Sequence, residues 1–167
     1  MATHPPTVPS TRSLVVVPAL ITLAVTALRR AVEFAGLPAW LANNGAGGAG
    51  AIFGIVWMPL VFGPWFALRI RDAVASNRAV WRPLAKTLVV YGLLARLPVA
   101  LLTIPAVLGD WGTHYDKFPF EGGAAAKIAA GFAAQLVFWA CIWTVVTGTL
   151  AGMTVLAMRG RTRVATV

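Results

Sequence analysis

The sequence predicts an all-α integral membrane protein, a four-helix transmembrane bundle with its N- and C-termini in the cytoplasm. Three observations favour this fold class. Hydrophobic residues make up 59% of the 167 residues, charged residues make up only 11%, and the mean hydropathy is +0.78. Four apolar segments approach or exceed the length of about 20 residues that a helix needs to cross a bilayer. The basic residues gather in one loop and at the C-terminus, a pattern typical of cytoplasmic segments.

The first span is predicted at residues 13–35, after a Pro- and Thr-rich tail at residues 1–12 that we expect to be disordered. Its apolar core, SLVVVPALITLAVTAL, is short, so we expect the residues that follow to extend it as an interfacial helix. Arg29 and Glu33 stand four residues apart and can pair on one helix face. A signal peptide is the alternative, but its N-terminal region would be weakly basic and no clear cleavage site follows.

The other spans are predicted at residues 46–68, 84–108 and 124–158, followed by a basic tail at 159–167. The last span is longer than one bilayer requires, so it can tilt or continue beyond the membrane. Prolines inside these segments predict kinked helices, because neighbouring groups can satisfy the freed carbonyl oxygens. These prolines are Pro18, Pro59, Pro64, Pro98 and Pro105.

The loop between the second and third spans has five basic residues against one acid, Asp72. We expect its basic side chains to lie in the cytoplasm and to contact anionic lipid headgroups. They are Arg69, Arg71, Arg78, Arg82 and Lys86. This orientation is the one expected in a bacterial plasma membrane, that is, an inner membrane. Arg29 and Arg30, on the opposite side, do not follow the charge rule.

Arg96 is the sharpest anomaly in the sequence. It lies about ten residues into the third span, or roughly 15 Å at helical rise, which is near the middle of a bilayer. A charge at that depth is costly and usually faces the bundle interior or a water-filled cavity. Gln135 is expected at a similar depth. We therefore expect Arg96 to meet a Gln or Thr side chain, a carbonyl group freed by proline, or a bound anion.

A second candidate site is the polar stretch GDWGTHYDKFP, which joins the third and fourth spans. Asp110, His114 and Asp116 offer ligands that suit a divalent metal, and His114 with Asp116 could form an acid–base pair. Asn43 and Asn44, from the loop between the first two spans, are expected on the same side. The alternative is a structural role, as the polar turn that two membrane helices require.

Pairs of small residues could bring helices together. Gly50 and Gly54 form one Gly-x-x-x-Gly pair, and Gly148 and Gly152 form another. In lipid, such pairs allow close helix packing. They could act within the chain, in a homo-oligomer, or against another protein.

The sequence argues against several classes of function. A single cysteine, Cys141, cannot form an intrachain disulfide or a Cys-x-x-Cys redox pair. No predicted span contains a histidine for haem ligation. With Glu33 expected near the outer edge of the first span, none contains the embedded carboxylate expected of a proton-coupled exporter, unless Glu33 lies deeper. No cofactor and no nucleic-acid partner is predicted.

The leading hypothesis is a non-enzymatic membrane protein that binds lipid or a protein partner, or that is a subunit of a larger complex. It rests on a chain that is nearly all span and has no convergent catalytic set. The alternative is a small membrane enzyme or transporter. Its outward-facing site would be formed by Asp110, His114 and Asp116, above the intramembrane Arg96.

Overall fold

The computed structural model describes residues 10–36, 56–74, 76–113, 115–118 and 120–164, without the side chains of 33, 34 and 160–164. Within these ranges all regular structure is helical. The elements are α1 (Thr11–Phe34), α2 (Met58–Arg71), a 3-10 turn (Asn77–Val80), α3 (Trp81–Leu108), α4 (Ala124–Phe132), a π-helical segment (Ala133–Trp143) and α5 (Thr144–Val164). The last three form one continuous helix.

Three helical stretches are long enough and apolar enough to cross a membrane: Thr11–Val32, Asn77–Leu108 and Ala124–Arg159. They confirm the all-helical class, and they correspond to the first, third and fourth predicted spans. The second predicted span is described only in part, because α2 has 14 residues and residues 37–55 lie outside the described ranges. A fourth span therefore stays a prediction.

Serine side chains set the beginnings of two helices. The Ser10 hydroxyl accepts a hydrogen bond of 3.2 Å from the Ser13 amide, so α1 starts at Thr11, within the tail that was predicted to be disordered. The Ser76 hydroxyl accepts in the same way from the Ala79 amide at 3.3 Å. Such N-caps satisfy amides that the first helical turn leaves without a partner. Residues 1–9 of the predicted tail lie outside the described ranges.

Helix α3 is the centre of the bundle and contacts every other helix. Halfway along α1, the Thr22 hydroxyl lies 2.7 Å from the Tyr91 hydroxyl of α3. At the end of α1, Arg30 lies over the ring of Trp111, just beyond the end of α3. The two helices therefore run in the same direction. We call this end of the bundle, where α1 and α3 finish and residues 109–118 follow, the loop end.

The opposite end, which we call the basic end, gathers the end of α2, the start of α3 and the last turns of α5. The side-chain amide of Asn77 reaches the carbonyl oxygen of Leu156 at 3.4 Å and ties these parts together. Basic side chains from α2, the 3-10 turn and the start of α3 are exposed here. They are Arg69, Arg78, Arg82 and Lys86.

Glycines bring α2 and α5 into backbone contact. A Cβ atom at Gly63 would collide with the backbone of Gly148, and one at Gly152 would stand 2.9 Å from the Gly63 carbonyl oxygen. The pair Gly148 and Gly152 therefore packs within the chain. Gly50 and Gly54 lie outside the described residues.

Replacing Gly63 with alanine should destabilise the fold. The added methyl group has no space against the Gly148 backbone, and overpacking of this kind costs about 1–3 kcal/mol. Gly123→Ala is the matched control, because a Cβ there meets nothing within 4 Å and the φ angle of −66° suits alanine. Thermal unfolding in mild detergent should show a lower midpoint for Gly63→Ala alone. Equal midpoints for the two variants would contradict the close α2–α5 packing.

Candidate functional site

Arg96 lies inside the bundle, halfway along α3, and is only 5% exposed. Its Nη1 atom donates a hydrogen bond of 3.2 Å to Oε1 of Gln135, and its Cζ atom lies 5.3 Å from the ring centroid of Trp139. The structure thus brings Arg96 and Gln135 together, and an aromatic face supports the guanidinium. Since a guanidinium carries five N–H donors, this contact leaves donor capacity for a further acceptor.

The partners of Arg96 stand on the π-helical segment. π-helical turns are rare and are often found at functional sites. Here the segment approaches α3 closely, since a Cβ at Gly92 would stand 2.5 Å from the carbonyl oxygen of Ala140. The Thr144 hydroxyl donates 2.7 Å to the carbonyl oxygen of Trp139, five residues earlier. The close approach at Gly92 positions the segment beside Arg96, one helical turn away.

A small cavity of about 10 Å³ lies beside Arg96, between α1, α2, α3 and α5. Its polar lining includes the hydroxyl groups of Thr22, Tyr91 and Thr144. The volume is close to the minimum of about 10–15 Å³ that one water requires. The interior around Arg96 thus holds a few hydroxyl groups but is tightly filled.

Two further arginines lie at the loop end of α1. The Cζ atom of Arg30 is 5.3 Å from the ring centroid of Trp111 and 5.4 Å from that of Tyr115. Arg29 lies within electrostatic range of Arg96, and its buried Nε atom has no hydrogen-bond partner within the described part of the chain. Tyr115, 6% exposed, links the group because it also lies within electrostatic range of Arg96.

An apolar groove of about 320 Å³ runs between α1 and α3 and ends at Arg30 and Tyr115. Its volume falls within the range of about 300–1,000 Å³ that is usual for ligand sites. Its lining residues are Leu23, Thr26, Ala27, Arg30, Pro98, Val99, Leu102 and Tyr115.

The carboxylate of Asp116 closes the loop that follows α3. Its Oδ2 atom accepts a hydrogen bond of 2.8 Å from the Gly112 amide, and its Oδ1 atom accepts bonds of 2.6 and 2.8 Å from the Thr113 amide and hydroxyl. Asp110 and Gly112 have φ angles of 44° and 66°, which let the chain turn sharply. Both carboxylate oxygens thus hold the loop together, while the Asp110 side chain is exposed.

The remaining members of the predicted polar site lie outside the described residues: His114, Asn43 and Asn44. A metal or acid–base site formed by Asp110, His114 and Asp116 therefore stays a prediction. In the part of the chain that the structure describes, no group of three or more His, Cys, Asp or Glu side chains could hold a metal ion.

Of the five residues predicted to contact headgroups, Arg71 has a different environment. Its Nε atom donates to Oδ1 of Asn77 at 2.6 Å, and its Nη1 atom donates to the carbonyl oxygen of Val74 at 2.7 Å. Arg71 therefore stabilises the segment that connects α2 to the 3-10 turn. Exposed Arg69 and Arg82 instead lie over tryptophan rings, 5.7 and 5.8 Å from the centroids.

Sequence reasoning did not identify Arg29 and Arg30 as site residues. The available signal was their departure from the charge rule, because they end an apolar helix on the less basic side of the chain. Trp139 and Tyr91 gave no signal, since aromatic residues are common in membrane helices.

Comparisons with known protein families, curated proteins and solved structures gave no match.

Protonation of Asp116 should open the loop. Burial raises the pKa of its carboxyl group, but hydrogen bonds from Thr113 and Gly112 outweigh this effect and set the pKa below its usual value. The loop stabilisation should be complete above the unfolded pKa of about 3.9 and should be lost as the pH falls through the lower folded value.

Amide chemical shifts of Gly112 and Thr113, followed by NMR in micelles, should titrate with a midpoint below about 3.9. The Asp116→Asn variant should abolish this titration, which identifies its source. A midpoint at or above the usual value would contradict the hydrogen-bonded loop.

Proposed function

We propose that this chain is a multi-pass membrane protein that binds a lipid between α1 and α3 and catalyses no reaction. The observation that carries the proposal is the groove of about 320 Å³, which has an apolar floor and ends at the cationic side chain of Arg30. An acyl chain matches such a floor, because burying each methylene group contributes about 0.8 kcal/mol.

The polar groups near the groove support binding rather than catalysis. Guanidinium groups bind and orient anions, but they do not accept protons at neutral pH. Asp116, a carboxylate that could serve as a base, is engaged by the backbone of its own loop. A subunit role in a larger complex is compatible with this proposal, since a bound lipid can lie between neighbouring proteins.

The proposed topology has four spans, with α2 as the last part of the second. The basic end lies on the cytoplasmic side of a bacterial inner membrane, and both termini are cytoplasmic. The exposed basic side chains at this end contact anionic headgroups. Pro18, Pro64, Pro98 and Pro105 lie inside helices, where kinks are expected.

Cysteine labelling tests this topology. In a Cys141→Ala background, Lys117→Cys should react with a membrane-impermeant maleimide in intact cells, whereas Ala79→Cys should react only after permeabilisation. Both positions are exposed, one at the loop end and one at the basic end. Labelling of Ala79→Cys from outside would reverse the orientation, and labelling of both in intact cells would rule out the proposed span between them.

Filling the groove should expel the lipid. Ala27 lines the groove, whereas Ala24 is exposed on α1 and does not. Ala27→Phe should lower lipid retention about tenfold, because displacing two methylene groups costs about 1.6 kcal/mol. Ala24→Phe should match the wild type.

Native mass spectrometry in mild detergent measures the fraction of protein that retains lipid. Equal retention by Ala27→Phe and the wild type would refute the groove as the binding site. All variants should be reconstituted in nanodiscs of the same lipid composition before they are extracted into detergent for this measurement.

A further inference from the structure

We propose that Arg29, Arg30 and Arg96 form one anion site at the loop end of the groove, and that its ligand is the phosphate of an anionic phospholipid. The inference rests on the proposed function, because the acyl chain of the same lipid occupies the groove. It adds the headgroup class and the residues that select it.

The three arginines come from two helices, and Tyr115 links two of them, Arg30 and Arg96. Arg30 lies over the Tyr115 ring at 5.4 Å, and Arg96 lies within electrostatic range of Tyr115 and of Arg29. Arg29 and Arg30 are consecutive in α1, so they point in different directions, one towards Arg96 and one towards the groove. Arg30 lines the groove itself, and Arg29 and Arg96 add positive charge beyond it, from α1 and α3.

The electrostatics of this group favour an anion. Arg29 and Arg96 repel each other, and Arg96 is buried while Arg29 is half-buried. The contacts of Arg96 with Gln135 and Trp139 are to neutral groups, which supply hydrogen bonding and a ring face but no negative charge. The buried Nε atom of Arg29 also lacks an acceptor within the described residues. A buried charge is stabilised when it is paired and hydrogen-bonded.

Phosphate fits this donor set better than a smaller anion. Guanidinium groups bind phosphate through two parallel hydrogen bonds, and several arginines can share its oxygen atoms. Arg30 also forms part of the groove lining, so a phosphate on Arg30 is already joined to the space for an acyl chain. This continuity of cation and apolar floor indicates a lipid rather than a free anion.

Glu33 could neutralise the arginines from within the chain, since it stands four residues after Arg29 in α1. Its side chain lies outside the described residues. The Asp116 carboxylate is held by Gly112 and Thr113. The experiment therefore includes a Glu33→Gln variant.

The test is a competition in nanodiscs that contain equal amounts of phosphatidylglycerol and phosphatidylethanolamine, followed by native mass spectrometry of the extracted protein. Wild-type protein should retain phosphatidylglycerol in preference to phosphatidylethanolamine. Arg29→Gln, Arg30→Gln and Arg96→Gln should each lower this preference about tenfold, because each removes a charge-assisted hydrogen bond. Lys117→Gln is the matched control, since it removes an exposed positive charge at the same end and should leave the preference unchanged.

A loss of folding must be distinguished from a loss of lipid preference. Arg29 and Arg30 are half-buried, so their replacement disturbs the bundle less than replacement of Arg96, and thermal unfolding identifies any variant that does not fold. Glu33→Gln should keep or raise the preference for phosphatidylglycerol. A lower preference in Glu33→Gln would show that the carboxylate is needed, and would overturn the anion site.

The two proposals fail in different ways. If wild-type protein retains neither lipid, the groove does not bind lipid and the proposed function is wrong. If it retains both lipids equally, or if all three arginine variants keep the wild-type preference, lipid binding stands and the anion site is refuted.

Discussion

The contact of Arg96 with Gln135 and Trp139 constrains the whole bundle. A guanidinium halfway along an apolar helix is costly and usually faces the bundle interior or a water-filled cavity. Gln135 and Trp139 supply an acceptor and a ring face from one neighbouring segment. That segment must lie against α3 along its length, and Gly92 permits this because it lets the Ala140 carbonyl approach.

The groove follows from the same arrangement. With α4, the π-helical segment and α5 along one side of α3, α1 packs on α3 and α2 instead. The Thr22–Tyr91 contact holds the middle of α1 on α3, and the groove lies beyond this contact, lined by Leu23 and Val99 among others. Tyr115 then closes the end of that space from the loop.

Much of the helical fold could be read from hydropathy, because an apolar segment of spanning length has few other stable conformations. Depth counting also placed Gln135 level with Arg96, since helical rise is constant. The contacts of Arg30 with Trp111 and Tyr115 could not be read in this way, because they join positions some eighty residues apart through the relative placement of α1 and the loop. Hydropathy also does not predict the π-helical register of Ala133–Trp143, because that register depends on hydrogen-bond pairing rather than on composition.

Arginines at the two ends of the bundle show why charge counting left Arg29 and Arg30 unexplained. Arg82 at the basic end lies over Trp81, but both side chains are exposed, so that charge can reach water or headgroups. Arg30 at the loop end lies over a buried tyrosine and is itself half-buried. The charge rule concerns residues that stay in loops beside the membrane. Inward-facing arginines belong to the bundle, so they should be excluded from that count, and the asymmetry of the exposed charges between the two ends becomes more pronounced without them.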